Sequence, residues 1–309
     1  MRFLPLFFGR NTMVATATLA TLMHGGPAPA GCSSCPCGDA TFFINDARLL
    51  AFHRVLVSVD YLNTSNESAP HVHPGQTATT VEMVSRAEND VRFTAQYGLA
   101  QRVTFMASLP YVFKEQTLEG VTGSVQGIGD LDLTAVAMLA EAWAERLAFH
   151  ATADVRVPTG DSQVPDEFGL IDPHLQPGTG AWSAIGGLQA TLAGDVPLFA
   201  GASYQWNDTN AQEFHFGDVF RFNFGAQRTV TGPVDAIGEI NGRWADYDTH
   251  EGIPDPNSGG TVVYFSPGLR WRIAPVVQLR GQVQFPVVED LYGLQDEKAA
   301  ARVALVWMP

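Results

Sequence analysis

Cys32, Cys35 and Cys37 fall within six positions and are the only cysteines in the chain. Such a cluster supports three chemistries. In an oxidising compartment two thiols would close a disulfide and leave one spare. Cys32 is also a candidate for lipidation, although Pro29 stands where a lipobox carries Leu. Three thiolates are, in addition, soft ligands for Cu or Zn, with no fourth ligand fixed by the spacing. No His follows Cys35 directly, which argues against covalent haem.

His71 and His73 alternate in a loop, and other loops carry Asp161, Asp166, Glu167, Asp172, His174, Asp246, Asp248, His250, Glu251 and Asp255. An acidic rim of this kind concentrates cations, but solvated loop side chains are the simpler expectation. Gly127-Ile128-Gly129-Asp130 and Pro158-Thr159-Gly160-Asp161 look like phosphate-loop fragments. Neither a helical pattern nor a Lys follows the first, so turn glycines are expected instead. His53 and His150 are expected in strands, and no G-x-S-x-G elbow occurs; no catalytic residue is assigned and no enzyme is expected.

The remaining chemistry is charge at alternate positions. Arg92, Asp132, Asp154, Arg156, Arg221, Glu239, Arg243, Arg270 and Arg280 each sit on the polar face of an alternating segment. Arg54, Arg302, Asp60, Asp90 and Asp130 belong to the same face. Charges so placed would line the inside of a wall whose other face is apolar.

The elements that position them follow from period. From Leu147 to Val157, Phe149, Ala151, Ala153 and Val155 oppose His150, Thr152, Asp154 and Arg156. From Phe220 to Gln227, Phe220, Phe222, Phe224 and Ala226 oppose Arg221, Asn223 and Gln227. This is strand periodicity. Several segments reach ten residues or more, which suits tilted membrane-spanning strands of about 9–11 residues better than the shorter strands of soluble sandwiches. Twelve are expected, near 46–62, 79–98, 101–117, 128–142, 144–158, 179–193, 196–209, 213–229, 233–248, 259–273, 275–288 and 295–307. Unpaired backbone is too costly in hydrocarbon, so the strands must close. The fold class is therefore all-β, a transmembrane antiparallel up-and-down barrel. Connections alternate between short turns, such as Thr231-Gly232-Pro233, and longer loops, such as 159–178. Six tryptophans lie near strand ends, as interfacial girdles or as packing.

Export is written at the front. Arg2 and Arg10 precede the apolar run Met13 to Met23 and the small residues Ala28-Pro29-Ala30. Residues 1–30 are read as a cleaved signal peptide, 31–45 as a Cys-rich periplasmic segment and 46–309 as the barrel. A net charge of −14 argues against a nucleic-acid partner, and none is expected.

Gln96-Tyr97-Gly98-Leu99-Ala100-Gln101-Arg102 with Ser108-Leu109-Pro110-Tyr111, then Gly127-Ile128-Gly129-Asp130-Leu131, Arg156-Val157-Pro158-Thr159-Gly160-Asp161, Gly178-Thr179-Gly180-Ala181-Trp182 and Ser266-Pro267-Gly268-Leu269-Arg270 occur in order over about residues 80–307. The ordered set resembles the outer-membrane transporters grouped as the MetA-pathway of phenol degradation family. That resemblance implies a barrel in the outer membrane of a Gram-negative bacterium, passing a small solute and sometimes linked to aromatic compounds. The expected partners are a lipid bilayer and a small-molecule solute, with a periplasmic partner and a homo-oligomer also compatible. The chain departs from the usual barrel ending, with Trp307 followed by Met308 and Pro309. The alternative function is a non-conducting barrel that anchors the cysteine segment for a metal or a periplasmic redox partner.

Overall fold

The computed structural model describes residues 49–68, 84–118, 121–166 and 169–309. The predicted signal peptide, the cysteine segment and His71, His73 and Glu167 lie outside the described residues. Twelve antiparallel strands close into a barrel. In chain order they are β1 Val55–Ser68, β2 Val84–Ala100, β3 Val103–Leu118, β4 Leu131–Ala142, β5 Leu147–Val157 and β6 Ser183–Leu192. There follow β7 Leu198–Asn207, β8 Val219–Thr231, β9 Val234–Ala245, β10 Gly260–Ala274, β11 Val277–Leu291 and β12 Ala300–Trp307. Closure is made by β12 on β1, with Val57 opposite Trp307 and Asn63 opposite Ala301. A further stretch, Val121–Ile128, pairs with the outer half of β3 before the chain enters β4.

Alternation sorts the two faces by polarity, in the sense opposite to a soluble protein. On β1, Ser58, Asp60, Thr64 and Asn66 are buried while Val59 and Tyr61 are exposed. On β8, Arg221, Asn223 and Gln227 are buried while Phe220 and Phe224 are exposed. An apolar exterior of this extent needs hydrocarbon against it. All six tryptophans are exposed, Trp143 in a turn and the others at or beside strand ends, as a girdle requires. Trp182, Trp206 and Trp244 lie toward the long loops; Trp143, Trp271 and Trp307 lie at the short-turn end. Strand β9 has 12 residues; at about 3.4 Å each and a tilt near 40° such a strand spans about 30 Å, enough for an apolar belt. Leu188, mid-strand in β6, is 62% exposed. Leu188→Arg is expected to destabilise the barrel in lipid vesicles by about 2–4 kcal/mol. Urea unfolding would measure it, and an unchanged midpoint would place this face in water.

The first strand departs from the expectation of 46–62. It begins at Val55 and runs to Ser68, because residues before it turn across the short-turn end of the barrel. The Leu50 amide donates to Thr104 Oγ1 at 2.7 Å, the Arg54 amide to the Ala51 carbonyl at 2.9 Å, and His53 takes a left-handed φ of 63°. Gly98 makes room, since a Cβ there would stand 2.1 Å from the Ala51 carbonyl oxygen. Arg54 is therefore an exposed turn residue and not part of the inward face, and His53 is exposed beside Tyr97 rather than in a strand. Beneath the turn Leu50, Leu56, Ala304 and Val306 form an apolar floor, with Met308 packed against it. The eighth strand starts at Val219, later than expected, because Phe214–His215 pairs instead with Thr249–His250 in a small outer sheet.

Candidate channel interior and outer mouth

Alternation on strands aims the charged side chains at the barrel axis. Arg92 of β2, Asp132 of β4, Asp154 and Arg156 of β5, Arg221 of β8, Glu239 and Arg243 of β9, Arg270 of β10 and Arg280 of β11 are all buried, none more than 6% exposed. They do not meet at one point; they form local networks between neighbouring strands. Asp132 and Arg156 face each other in register, with Arg156 Nε 2.8 Å from Asp132 Oδ1. Thr134 donates to Asp154 from the facing strand. Arg92 lies 3.6 Å from Asp90 on its own strand. Arg270 donates to Asp235 Oδ2 from Nε at 3.0 Å and Nη2 at 2.9 Å, and Arg272 adds a third bond at 2.7 Å. Glu239 accepts from Asn223 and Gln282, each at 3.1 Å. Arg221 donates to Gln205 Oε1 at 3.0 Å, while Arg243 bonds the Tyr264 hydroxyl at 3.1 Å and pairs with Glu297. Arg280 stands opposite Arg270 in the register of β10 and β11.

Two further interior carboxylates carry equal weight: Asp235, not picked out by sequence, and Asp60, placed there on the polar face but not chosen as a lining residue. Asp235 is the shared acceptor just named, and Asp60 holds Arg302 across the closure of the barrel at 2.7 Å. The signal was present in their alternate spacing, but partner strands cannot be matched from period alone. Apolar side chains also point inward, among them Met106 packed on Val136. Asp132 with Arg156, Asp235 with Arg270 and Asp60 with Arg302 are paired across neighbouring strands, while one buried oxygen of Asp154 accepts no hydrogen bond and the Nε atoms of Arg221 and Arg280 donate none among the described residues.

A folded loop packs into the outer end. Residues 174–179, between β5 and β6, are buried in the mouth. Two fastenings hold them. Lys114 of β3 points its Nζ to the Gln176 carbonyl at 2.9 Å and the His174 carbonyl at 3.3 Å, with Glu88 at 3.8 Å. Asp130, in the bend before β4, accepts from the Gly160 amide at 3.0 Å and from the Thr179 amide and hydroxyl at 2.8 and 2.7 Å. The three glycine-bearing motifs thus converge on one node. Gly160 and Gly178 touch there: a Cβ on Gly178 would lie 2.6 Å from the Gly160 backbone. The expectation of a turn glycine is refined for Gly160, which serves a backbone crossing with Gly178.

Other loops lock onto the plug. His174 packs edge-on against Phe214 and Phe216, with Nε2 3.3 Å from Asp248. Asp248 also accepts from the Gly217 amide at 2.7 Å. The expectation of solvated outer acids fails for Asp248 and Asp255, which are buried, because they satisfy loop amides.

The family model described as Putative MetA-pathway of phenol degradation matches residues 63–292. An outer membrane channel from Pseudomonas putida F1 superposes with a TM-score of 0.66 at 16% identity, over 84% of this chain and 97% of that one. The β domain of the Bordetella autotransporter BrkA superposes with a TM-score of 0.49 at 9% identity, over 81% of this chain and 99% of that one. No curated protein matches the sequence significantly.

Proposed function

This chain belongs to the putative MetA-pathway of phenol degradation family, and on that premise we propose that it is an outer-membrane barrel for passive passage of a small solute. The observation that carries the reading is the inverted polarity of a closed wall, apolar outside and charged within. Nothing in such a wall spends energy, so passage is downhill. The packed, ion-paired interior makes this a narrow path opened by moving the plug, in contrast to a wide aqueous pore. A small or hydrophobic solute suits that path, and the fold is shared with an outer membrane channel. The lining residues of the path are the nine charged side chains above. Liposome swelling tests the reading: vesicles with the refolded barrel should admit small neutral solutes and reject larger ones. Vesicles indistinguishable from protein-free ones would refute it.

One observation favours a second reading. Arg156 is matched by Asp132, Arg270 by Asp235 and Arg302 by Asp60, which is how a sealed barrel fills its interior. In that reading the barrel anchors Cys32, Cys35 and Cys37 for Cu, Zn or a periplasmic redox partner. Replacing all three cysteines with Ser separates the two. The channel reading predicts an unchanged swelling rate, and the anchor reading predicts loss of metal or partner binding from a barrel that never admitted solute.

A further inference from the structure

A cavity of about 290 Å³ opens above the plug, between loops 158–182, 208–218 and 246–259. That places it at the lower end of the size range of small-molecule sites, about 300–1,000 Å³. Its walls combine apolar side chains, Leu170, Ile171, Phe214 and Ile253, with the polar Gln212 and Asp255. Leu170 and Ile253 are half exposed on the long outer loops. Gln212 Oε1 is buried and accepts no hydrogen bond among the described residues. Leaving such an acceptor unmet is costly, so a donor from outside the chain has a ready place.

Charge narrows the class of donor. The three loops contain acids throughout and neither Lys nor Arg. Arg86, reaching in from β2, lies 3.5 Å from Asp172 on one side of the cavity. Asp255 accepts from the Asn257 amide through Oδ1 at 2.9 Å and lines the cavity together with His250. A negative field over an apolar wall with an aromatic ring favours an organic cation.

We propose that this cavity is a binding site for small amphiphiles with an apolar body and an ammonium head. The body lies on Ile171, Phe214 and Ile253; the head donates to Gln212 and faces Asp255. The proposal rests on the channel reading, in which the cavity is where solute waits on the plug.

The test is titration calorimetry on the barrel in nanodiscs with three probes sharing one body: 2-phenylethylammonium, 2-phenylethanol and 3-phenylpropanoate. Saturable binding should rank ammonium, then alcohol, with no binding of the carboxylate. Gln212→Leu should weaken both binders, and Asp255→Asn, which keeps Oδ1 for Asn257, should weaken only the ammonium. Losing one charge-assisted hydrogen bond corresponds to about tenfold in affinity. Heat-modified gel mobility confirms that each variant is folded. Equal uptake of all three probes, or affinities unmoved by both substitutions, overturns the site. The swelling assay separates the two levels. Swelling without saturable binding removes this proposal and leaves the channel; binding without swelling keeps the site and removes the channel.

Discussion

Lys114→Met is expected to convert a mostly closed barrel into one that opens readily. Lys114 is buried and its Nζ serves the Gln176 and His174 carbonyls of the plug together with Glu88. Met fills similar space and donates nothing. Two plug carbonyls lose a cationic donor and a partly buried Glu88 loses its countercharge. Breaking hydrogen bonds to a charged group costs about 1.5–3 kcal/mol each. Moving the plug outward lets the orphaned groups reach water, so the loss falls on the closed state. A shift of about 2–4 kcal/mol multiplies the open fraction by roughly thirty or more. Open probability in planar bilayers measures it, and digestion from outside by an acid-specific protease gives an independent view of loop 158–182. Lys114→Arg should stay near wild type in both. Equal open probability in Lys114→Met would mean that the plug is held elsewhere.

Asp130→Ala should produce the largest loss of stability of any single change outside the membrane belt. Its carboxylate is 1% exposed and gathers two backbone amides and a hydroxyl from two separate loop segments. Without it, the part-buried Gly160 amide and the buried Thr179 amide lose their acceptor. Summing charged hydrogen bonds of this kind gives about 3–5 kcal/mol, allowing for partial relaxation. Asp130→Asn keeps one acceptor oxygen and should fall between. Urea unfolding in vesicles followed by tryptophan fluorescence reads the loss. A variant within about 0.5 kcal/mol of wild type would show that the node is dispensable. Gly178→Ala should resemble Asp130→Ala, since its methyl group collides with the Gly160 backbone at the same crossing.

The wall of this protein is legible in its sequence because lipid and interior read opposite faces of every strand. Phe220, Phe222 and Phe224 against Arg221 and Asn223 admit one register only, since a slip by one residue would put Arg into lipid. The first strand was misplaced for the same reason. Leu49 to Val55 carries no charge alternation, and the polar run Asn63 to Asn66 looked like a loop although it continues β1 beyond the belt. Met106 and Val136 show a second limit, since apolar residues are free to sit on either face. The plug was not legible at all. Gly129-Asp130, Gly160 and Gly178-Thr179 are separated by 30 and 49 positions in their hydrogen bonds. Each fragment alone reads as a turn. Only the closed topology brings them to one point, and only there does Lys114 meet the Gln176 and His174 carbonyls.

The central claim is that solute crosses through the barrel interior, past its paired charges. Planar-bilayer conductance of the refolded barrel, with and without Arg156→Ala and Arg280→Ala, tests it most directly. The account predicts discrete small conductances whose reversal potential moves toward cation selectivity in both variants, because removing Arg156 leaves Asp132 unmatched in the path. A folded barrel that never conducts, in the wild type or in either variant, would contradict it.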